Sequence, residues 1–377
     1  MSNQQTVKSI GDIDRNLRVE TSLDLPATDW RSAKCGAFQL YGLYQPLSEG
    51  VFRRMPEAIA AETNEGVAQL HTNTAGGRIR FRTNSRFVAL KVVMPNPCVM
   101  PHMAALGSAG FDLYLSDGQT ARYRGSFFPP VDIRGGYESV VWFESGDERD
   151  ILLHMPLYSG VGELYIGLEA GASLLPGGSY RAEKPVVFYG SSITQGGCAS
   201  RPGCAYTNLI SRLLNVDHIN LGFSGSARGE SIIADYMASL EMSAFVCDYD
   251  HNAPSIAHLE ETLWPLYETI RRSHPEIPFL FVSKPDFCRD PGRRDRNPRL
   301  VIQNAYARAL AGGDWRVGFI DGETLFDGPF YTECTVDGCH PNDLGFSRMA
   351  AVIGRQVARM LDIPFRLDVS SPAPLFQ

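Results

Sequence analysis

Apolar and polar residues alternate with period two over Arg78-Ile79-Arg80-Phe81-Arg82 and again over Val88-Ala89-Leu90-Lys91-Val92. Successive side chains of a strand point to opposite faces, so each run predicts a β-strand with one face on a core. Leu113-Tyr114-Leu115-Ser116 runs into Asp117-Gly118, a hairpin signal that places a return strand near Ala121–Arg124. Val140–Phe143, Ile151–His154 and Leu164–Leu168 continue the series between Gly, Pro and Asp. Many short strands at close spacing predict an all-β sandwich. Gly171-Ala172-Ser173 through Pro176-Gly177-Gly178-Ser179 breaks the pattern and reads as a linker.

Beyond the linker the rhythm changes. Val186–Tyr189, His218–Leu221, Ala244–Cys247, Phe279–Ser283 and Val317–Ile320 are short apolar runs of the buried-strand type. Between them lie helical patterns at Tyr206–Leu214, Glu230–Leu240, Leu259–Arg272 and Leu300–Ala311. A last helix is expected over Asp343–Leu361, with Met349, Val352, Ile353 and Met360 at helical spacing. Strands alternating with helices predict a parallel sheet covered on both faces. The expected organisation is a sandwich domain at 1–178, an α/β domain at 184–365 and a tail at 366–377. A chain of 377 residues is long enough for both.

Composition narrows the class. Hydrophobic residues make up 44% and charged ones 20%, enough for packed cores. Residues 1–180 carry 16 basic and 19 acidic groups, and 181–377 carry 19 and 23, so the halves stand at −3 and −4. Neither is the basic domain expected of a nucleic-acid binder. The basic residues are 30 Arg and 5 Lys, a bias that coding preference explains without any function. The N-terminal MSNQQTVKSIGDIDRN lacks an apolar core for a secretory signal, and no run approaches the roughly 18 apolar residues of a membrane span. A cytoplasmic protein with no membrane association is the expectation. Its eight cysteines are then reduced thiols, although Cys198/Cys204 and Cys334/Cys339 could each close a short loop. None shows CxxC spacing, so no structural zinc site is expected.

Candidate chemistry falls where open α/β sheets gather it, after the carboxyl ends of strands. The first such turn, Gly190-Ser191-Ser192-Ile193-Thr194-Gln195-Gly196-Gly197, can present a hydroxyl at the sheet edge. It could equally be a glycine turn with a capping serine or a phosphate loop, but lacks the Walker ending, the dinucleotide spacing and the last Gly of G-x-S-x-G. The second is Asn220-Leu221-Gly222-Phe223-Ser224-Gly225, where Gly225 allows close backbone approach with a free N–H. In the third, Asp248-Tyr249-Asp250-His251-Asn252-Ala253-Pro254, Asn252 can donate to an oxyanion or cap a helix. Before the last helix, Asp337-Gly338-Cys339-His340 sets a carboxylate three residues ahead of an imidazole that it can orient. A cap and a surface histidine would be the bland account of that pair.

Four such signals in this order resemble the SGNH (GDSL-like) hydrolase superfamily, whose blocks contribute Ser, Gly, Asn and His, over essentially all of 184–362. Gly110-Phe111-Asp112-Leu113-Tyr114 is similar to the Gly-x-Asp-Leu-Tyr signature of a β-sandwich found before certain members, and Gly190 to Gly203 resembles that same subgroup. The resemblance implies a three-layer α/β/α (flavodoxin-like) hydrolase domain preceded by the sandwich. It implies Ser192 as nucleophile, His340 as base and Asp337 as the group orienting it. Ser192 N–H, Gly225 N–H and the Asn252 amide would form the oxyanion hole. Ser191 stands where the family has the Asp of Gly-Asp-Ser, and Asp250-His251-Asn252-Ala253 replaces its Gly-x-Asn-Asp, which leaves His251 as a rival polar group.

The expected activity is that of a serine esterase acting on short acyl esters, acetyl above all, of a carbohydrate-like or small alcohol, with no metal or organic cofactor. Acyl transfer to a second alcohol is the main alternative, and the Arg-rich stretch Arg289–Arg299 could hold an anionic donor such as coenzyme A phosphates. A catalytically dead carbohydrate-binding protein is a third reading. The sandwich is expected to sit beside the active-site mouth.

Overall fold

The computed structural model describes residues 23–285 and 297–365, together with Gly11, Asp14, Arg18, Val19 and Leu367. The expected tail, Leu367 apart, and most of the Arg289–Arg299 stretch lie outside these residues. Nine strands form the first unit: β1 (Thr28–Ser32), β2 (Gln39–Tyr41), β3 (Arg78–Thr83), β4 (Phe87–Val93), β5 (Phe111–Ser116), β6 (Ala121–Phe127), β7 (Gly136–Trp142), β8 (Arg149–His154) and β9 (Glu163–Glu169). They make two antiparallel sheets, ordered β1-β9-β4-β7 and β2-β3-β8-β5-β6. Val88, Leu90 and Val92 from one sheet meet Ile79, Phe81, Leu113, Ile151 and Leu153 from the other in one core. The β5–β6 pair is the expected hairpin. Three short helices that the strand pattern did not signal, Glu57–Thr63, Glu65–Leu70 and Ala105–Ala109, interrupt the run.

The second unit is a parallel sheet of β10 (Val186–Gly190), β11 (His218–Gly222), β12 (Ala244–Asp248), β13 (Phe279–Val282) and β14 (Val317–Ile320). Its order, β11-β10-β12-β13-β14, is the flavodoxin-like one. Val186 and Phe188 face a layer containing Ile210, Met349, Ile353 and Val357 from the helices Tyr206–Leu214 and Asp343–Met360. Val187 and Tyr189 face Ile233, Leu259, Leu263 and Ile302 from the helices Ser231–Ala238, Ile256–Ser273 and Asn297–Ala311. Burial on both faces explains why these strands read as unbroken apolar runs. Because β11 and β12 flank β10, the chain leaves β10 on one side and later on the other, which opens a crevice at their carboxyl ends.

Burial in β3 goes further than its alternation implies. Ile79 and Phe81 enter the sandwich core, yet Arg78 and Arg80 on the other face are only 0% and 1% exposed, because the α/β unit covers Arg78 and the linking segment 177–180 lies against Arg80. Arg78 donates to the Asp217 carboxylate and to the His218 carbonyl at the head of β11. Arg54 lies over the Phe223 ring and donates to the carbonyls of Asn220, Gly222 and Leu70. Arg212 reaches back to His154 Nε2 at 3.0 Å and lies over the Tyr114 ring. Burial, then the charges of Arg212, Arg78 and Arg201, hold His154 well below the usual imidazole range, so it meets Arg212 as a neutral ring. The arginine bias, to which the sequence attached no role, thus supplies the long polar arms that join the two units. Arginine suits this because one planar group satisfies several carbonyls.

The Gly-x-Asp-Leu-Tyr segment is the centre of this junction. Asp112, fully buried, accepts two contacts from Gly203 N–H (3.1 and 2.9 Å) and one from Arg201 (3.1 Å). Burial pushes its carboxyl up, against the opposing pull of Arg212, Arg201 and the Gly203 N–H. Arg201 also donates to the Tyr114 hydroxyl. Any side chain at 203 would collide, since a Cβ there would lie 2.2 Å from that hydroxyl and 2.7 Å from Asp112 Oδ2. Replacing Asp112 by Ala strands a buried N–H and a partly buried guanidinium, so about 3 kcal/mol of stability should be lost. A denaturant midpoint no lower than wild type would contradict this role. Tyr114→Phe, which removes one hydroxyl, should cost only about 1 kcal/mol.

Candidate active site

The turn after β10 folds into the one-turn helix Ser192–Gln195, and its geometry explains each residue of the motif. Ser191 is the N-cap, its Oγ accepting from Ile193 N–H at 3.2 Å, while its own N–H donates to the Asp248 carbonyl. A capping serine was one of the bland readings of this turn, and Ser191 realises it beside Ser192. Gly196 ends the helix in the left-handed region at φ 109°. Beneath the turn, Asp248 accepts from Thr194 Oγ1 (3.2 Å) and the Tyr206 hydroxyl (3.4 Å). Burial pushes that carboxyl well above the usual range, with Asp250 adding to it and the bonds from Thr194 and Tyr206 opposing it. From the sandwich side, the Tyr158 hydroxyl donates to the Ser192 carbonyl at 3.3 Å.

Ser192, His340 and Asp337 come together although 148 residues separate the first two. Ser192 Oγ lies 2.9 Å from His340 Nε2, and His340 Nδ1 lies 2.7 Å from Asp337 Oδ2. The carboxylate fixes the tautomer: Nδ1 carries the proton that Asp337 accepts, which leaves Nε2 to accept from the serine. Asp337 Oδ1 takes the backbone N–H groups of Cys339 (2.9 Å) and His340 (2.7 Å), so one carboxylate holds both ring and loop. Partial burial alone would raise this carboxyl. The bonds from the His340 ring and from the His340 and Cys339 N–H groups outweigh it and hold it down at about 2. The loop is closed by a bridge between Thr335 and Pro341, and Asn342 then caps the helix Asp343–Met360.

The second and third turns converge on the same crevice. Gly225 sits at φ 67°, a conformation that favours glycine, with nothing within 4 Å of where a Cβ would project. Among the described residues the N–H groups of Ser192 and Gly225 have no hydrogen-bond partner. Asn252, in the short 3-10 turn Asp250–Asn252, donates from Nδ2 to the Phe223 carbonyl at 2.9 Å, which ties the third turn to the second. Its amide keeps a second N–H for another acceptor. His251 is largely buried. Desolvation, with the charges of Lys284 and His340, lowers its ring to about 4, so it is neutral, and its Nε2 has no partner. Only Asn252 of the two is bonded to the Gly222–Gly225 turn.

Several participants carried no sequence signal. Gln195 lay inside the first motif without a role; its Oε1 accepts from Ser224 N–H and its Nε2 donates to the Leu157 carbonyl, fastening the first turn to the second and to the sandwich. Tyr158, Asp248 and Arg54 act through long-range contacts that no local pattern announces. Of the Arg289–Arg299 stretch, Arg299 is described, and it is paired with Asp321 (2.7 Å) and Glu323 (3.0 Å). The seven described cysteines, Cys198, Cys204, Cys334 and Cys339 among them, are free thiols. No helix among the described residues is long and apolar enough to cross a membrane.

Comparison with known proteins agrees with this geometry. Residues 183–358 match the model of the GDSL-like lipase/acylhydrolase family, and residues 28–174 match the GxDLY N-terminus of SGNH-hydrolase-type esterases. A crystal structure described as a GDSL-like lipase from Bacteroides ovatus superposes with a TM-score of 0.80 at 28% identity, covering 90% of this chain and 100% of that one. A salicylyl-acyltransferase from a tetracycline biosynthetic pathway shares the fold at a TM-score of 0.73 and 20% identity, over 90% of this chain and 99% of its own. An acetyl xylan esterase from the rumen bacterium Butyrivibrio proteoclasticus does so at 0.56 and 11%, over 89% and 99%. None of the curated proteins searched matches the chain. Residues 183–358 are a domain of the GDSL-like lipase/acylhydrolase family and residues 28–174 its GxDLY N-terminal unit, which makes the chain an ester-hydrolysing enzyme of the SGNH type.

Proposed function

We propose that this enzyme is a serine esterase that removes short acyl groups, acetyl above all, from a carbohydrate-like or small alcohol through an acyl-enzyme on Ser192. The Ser192–His340–Asp337 relay, with contacts of 2.9 and 2.7 Å, is the observation that carries the reading. A serine hydroxyl is a weak nucleophile until a base takes its proton during attack. Ser192 Oγ attacks the ester carbonyl as His340 Nε2 accepts the proton, and Asp337 stabilises the imidazolium that forms. The tetrahedral oxyanion is received by the N–H groups of Ser192 and Gly225 and by the Asn252 amide, each such donor contributing about 3–4 kcal/mol. His340 then protonates the leaving alcohol. Water, activated by the same ring, hydrolyses the acyl-enzyme. The free thiols fit a reducing, cytoplasmic setting, and the fold shared with a carbohydrate esterase fits the proposed alcohol.

The fold is also shared with an acyltransferase, which favours a second reading in which an alcohol replaces water in the last step. A catalytically dead binding protein does not fit an assembled relay. A p-nitrophenyl ester series from acetate to decanoate, run on wild type and Ser192→Ala, tests the proposal. Turnover confined to short chains and lost in the variant is expected; turnover surviving in Ser192→Ala contradicts it. Silence of the wild type until an acceptor alcohol is added favours transfer.

A further inference from the structure

Three side chains far apart in sequence converge around His340. His102 lies on the turn before the helix Ala105–Ala109, and Cys198 on the loop after Gly196. One nitrogen of each imidazole and the Cys198 sulfur all lie within 4.8 Å of one another. The two rings stand with centroids 5.9 Å apart, tilted by 56°. We propose that His102, Cys198 and His340 form a reversible inhibitory site for a borderline-soft divalent cation, Zn²⁺ being the ion whose chemistry matches the donors.

Two imidazole nitrogens and one thiolate are a donor set that Zn²⁺ favours, with a water completing the tetrahedron. Tetrahedral donors at ordinary zinc bond lengths lie about 3.5 Å apart, so the cluster must contract by about 1 Å. His102 is exposed and can swing inward, whereas Cys198 is buried and fixes one corner. Cys198 is held at φ 78°, a left-handed backbone that a non-glycine residue rarely adopts. Neither the Ser192–His340 relay nor the domain junction calls for a thiol there. Binding releases the Cys198 proton to solvent.

The geometry also decides which atom of His340 the ion takes. Nδ1 is committed to Asp337, so the ion reaches Nε2, the atom now 2.9 Å from Ser192 Oγ. Carboxylate–histidine–metal is a recurrent arrangement in metal sites, because the carboxylate orients the ring and raises its basicity. Metal and serine therefore compete for one lone pair. The inhibition rests on the proposed function, but the binding does not.

Zn²⁺ alone, titrated calorimetrically into the full chain, and Co²⁺ absorption, which reports a thiolate ligand by its charge-transfer band, test the site. We expect one ion per chain, a thiolate band, and ester turnover that falls with occupancy and returns with EDTA. His102→Ala and Cys198→Ser should each weaken Zn²⁺ binding at least about tenfold, shift the inhibition equally and leave metal-free turnover unchanged. Ser192→Ala should still bind one Zn²⁺, so a failure of the esterase reading leaves the site testable. Unchanged affinity in both ligand variants, or Co²⁺ binding without a thiolate band, overturns the proposal.

Discussion

Replacing His340 by alanine is expected to lower kcat for a short activated ester by about 10⁴–10⁶-fold. The size follows from the relay acting as one unit. Without an acceptor 2.9 Å from Ser192 Oγ, the hydroxyl must shed its proton to water, and the leaving alcohol loses its proton donor. Some acceleration over water should remain, because the donors of the oxyanion hole do not depend on the ring. Asp337→Asn should cost about 10⁴-fold, since the amide can hold the ring in the wrong tautomer. Asp337 also sets a pH dependence of its own. Its carboxyl is lowered from 3.8 to about 2 in the fold, so its bonds contribute stability above the unfolded value, and that contribution is lost as pH falls from about 4 through about 2. Asp337→Asn should flatten the stability profile in that window, measured by denaturant melts. A wild-type profile unchanged by the substitution would contradict the assignment.

Arg54→Met is expected to cost about 3–5 kcal/mol and to lower kcat more than it raises KM. Arg54 is 1% exposed and faces no carboxylate among the described residues; its partners are the carbonyls of Asn220, Gly222 and Leu70. Burial lowers its guanidinium to about 9, so the fold already bears a desolvated charge. Removing it recovers part of that cost but leaves the buried carbonyls of Asn220 and Gly222 unbonded, at about 1–3 kcal/mol each, which decides the sign; the Leu70 carbonyl keeps its bond from Asn73 N–H. Two of those carbonyls belong to the end of β11, immediately before the Gly225 turn. On the proposed mechanism a displaced Gly225 N–H weakens only the oxyanion contact, hence the kcat effect. A denaturant midpoint and a kcat both equal to wild type would remove Arg54 from the account.

Much of this was legible before any coordinates. Strand β4 alternates because Val88, Leu90 and Val92 face the core while Lys91 and Val93 on the other face reach solvent, Phe87 and Ala89 there being buried, and β10 to β13 read as apolar runs because both faces are covered. Three of the four chemical turns were legible because each follows its strand directly, so position in the chain stood for position at the sheet edge; Asp337–His340, well beyond β14, was legible from its spacing just before the last helix. The helices Glu57–Thr63 and Glu65–Leu70 were not, being seven and six residues long, with too few turns to show a period. Arg78 and Arg80 looked like the solvent face of a strand because a local pattern does not register the second unit that covers Arg78 or the linking segment that lies against Arg80. For the same reason Tyr158, Gln195 and the meeting of His102 with Cys198 lay beyond it. These depend on contacts between distant segments, and only the fold brings them together.

The most direct test of the central claim is to find the acyl group itself. Enzyme mixed with p-nitrophenyl acetate, quenched in acid during turnover and digested should show one acetyl group on the peptide carrying Ser192, absent from Ser192→Ala. Turnover with no acetyl at Ser192, or with the adduct on another residue, would contradict the mechanism.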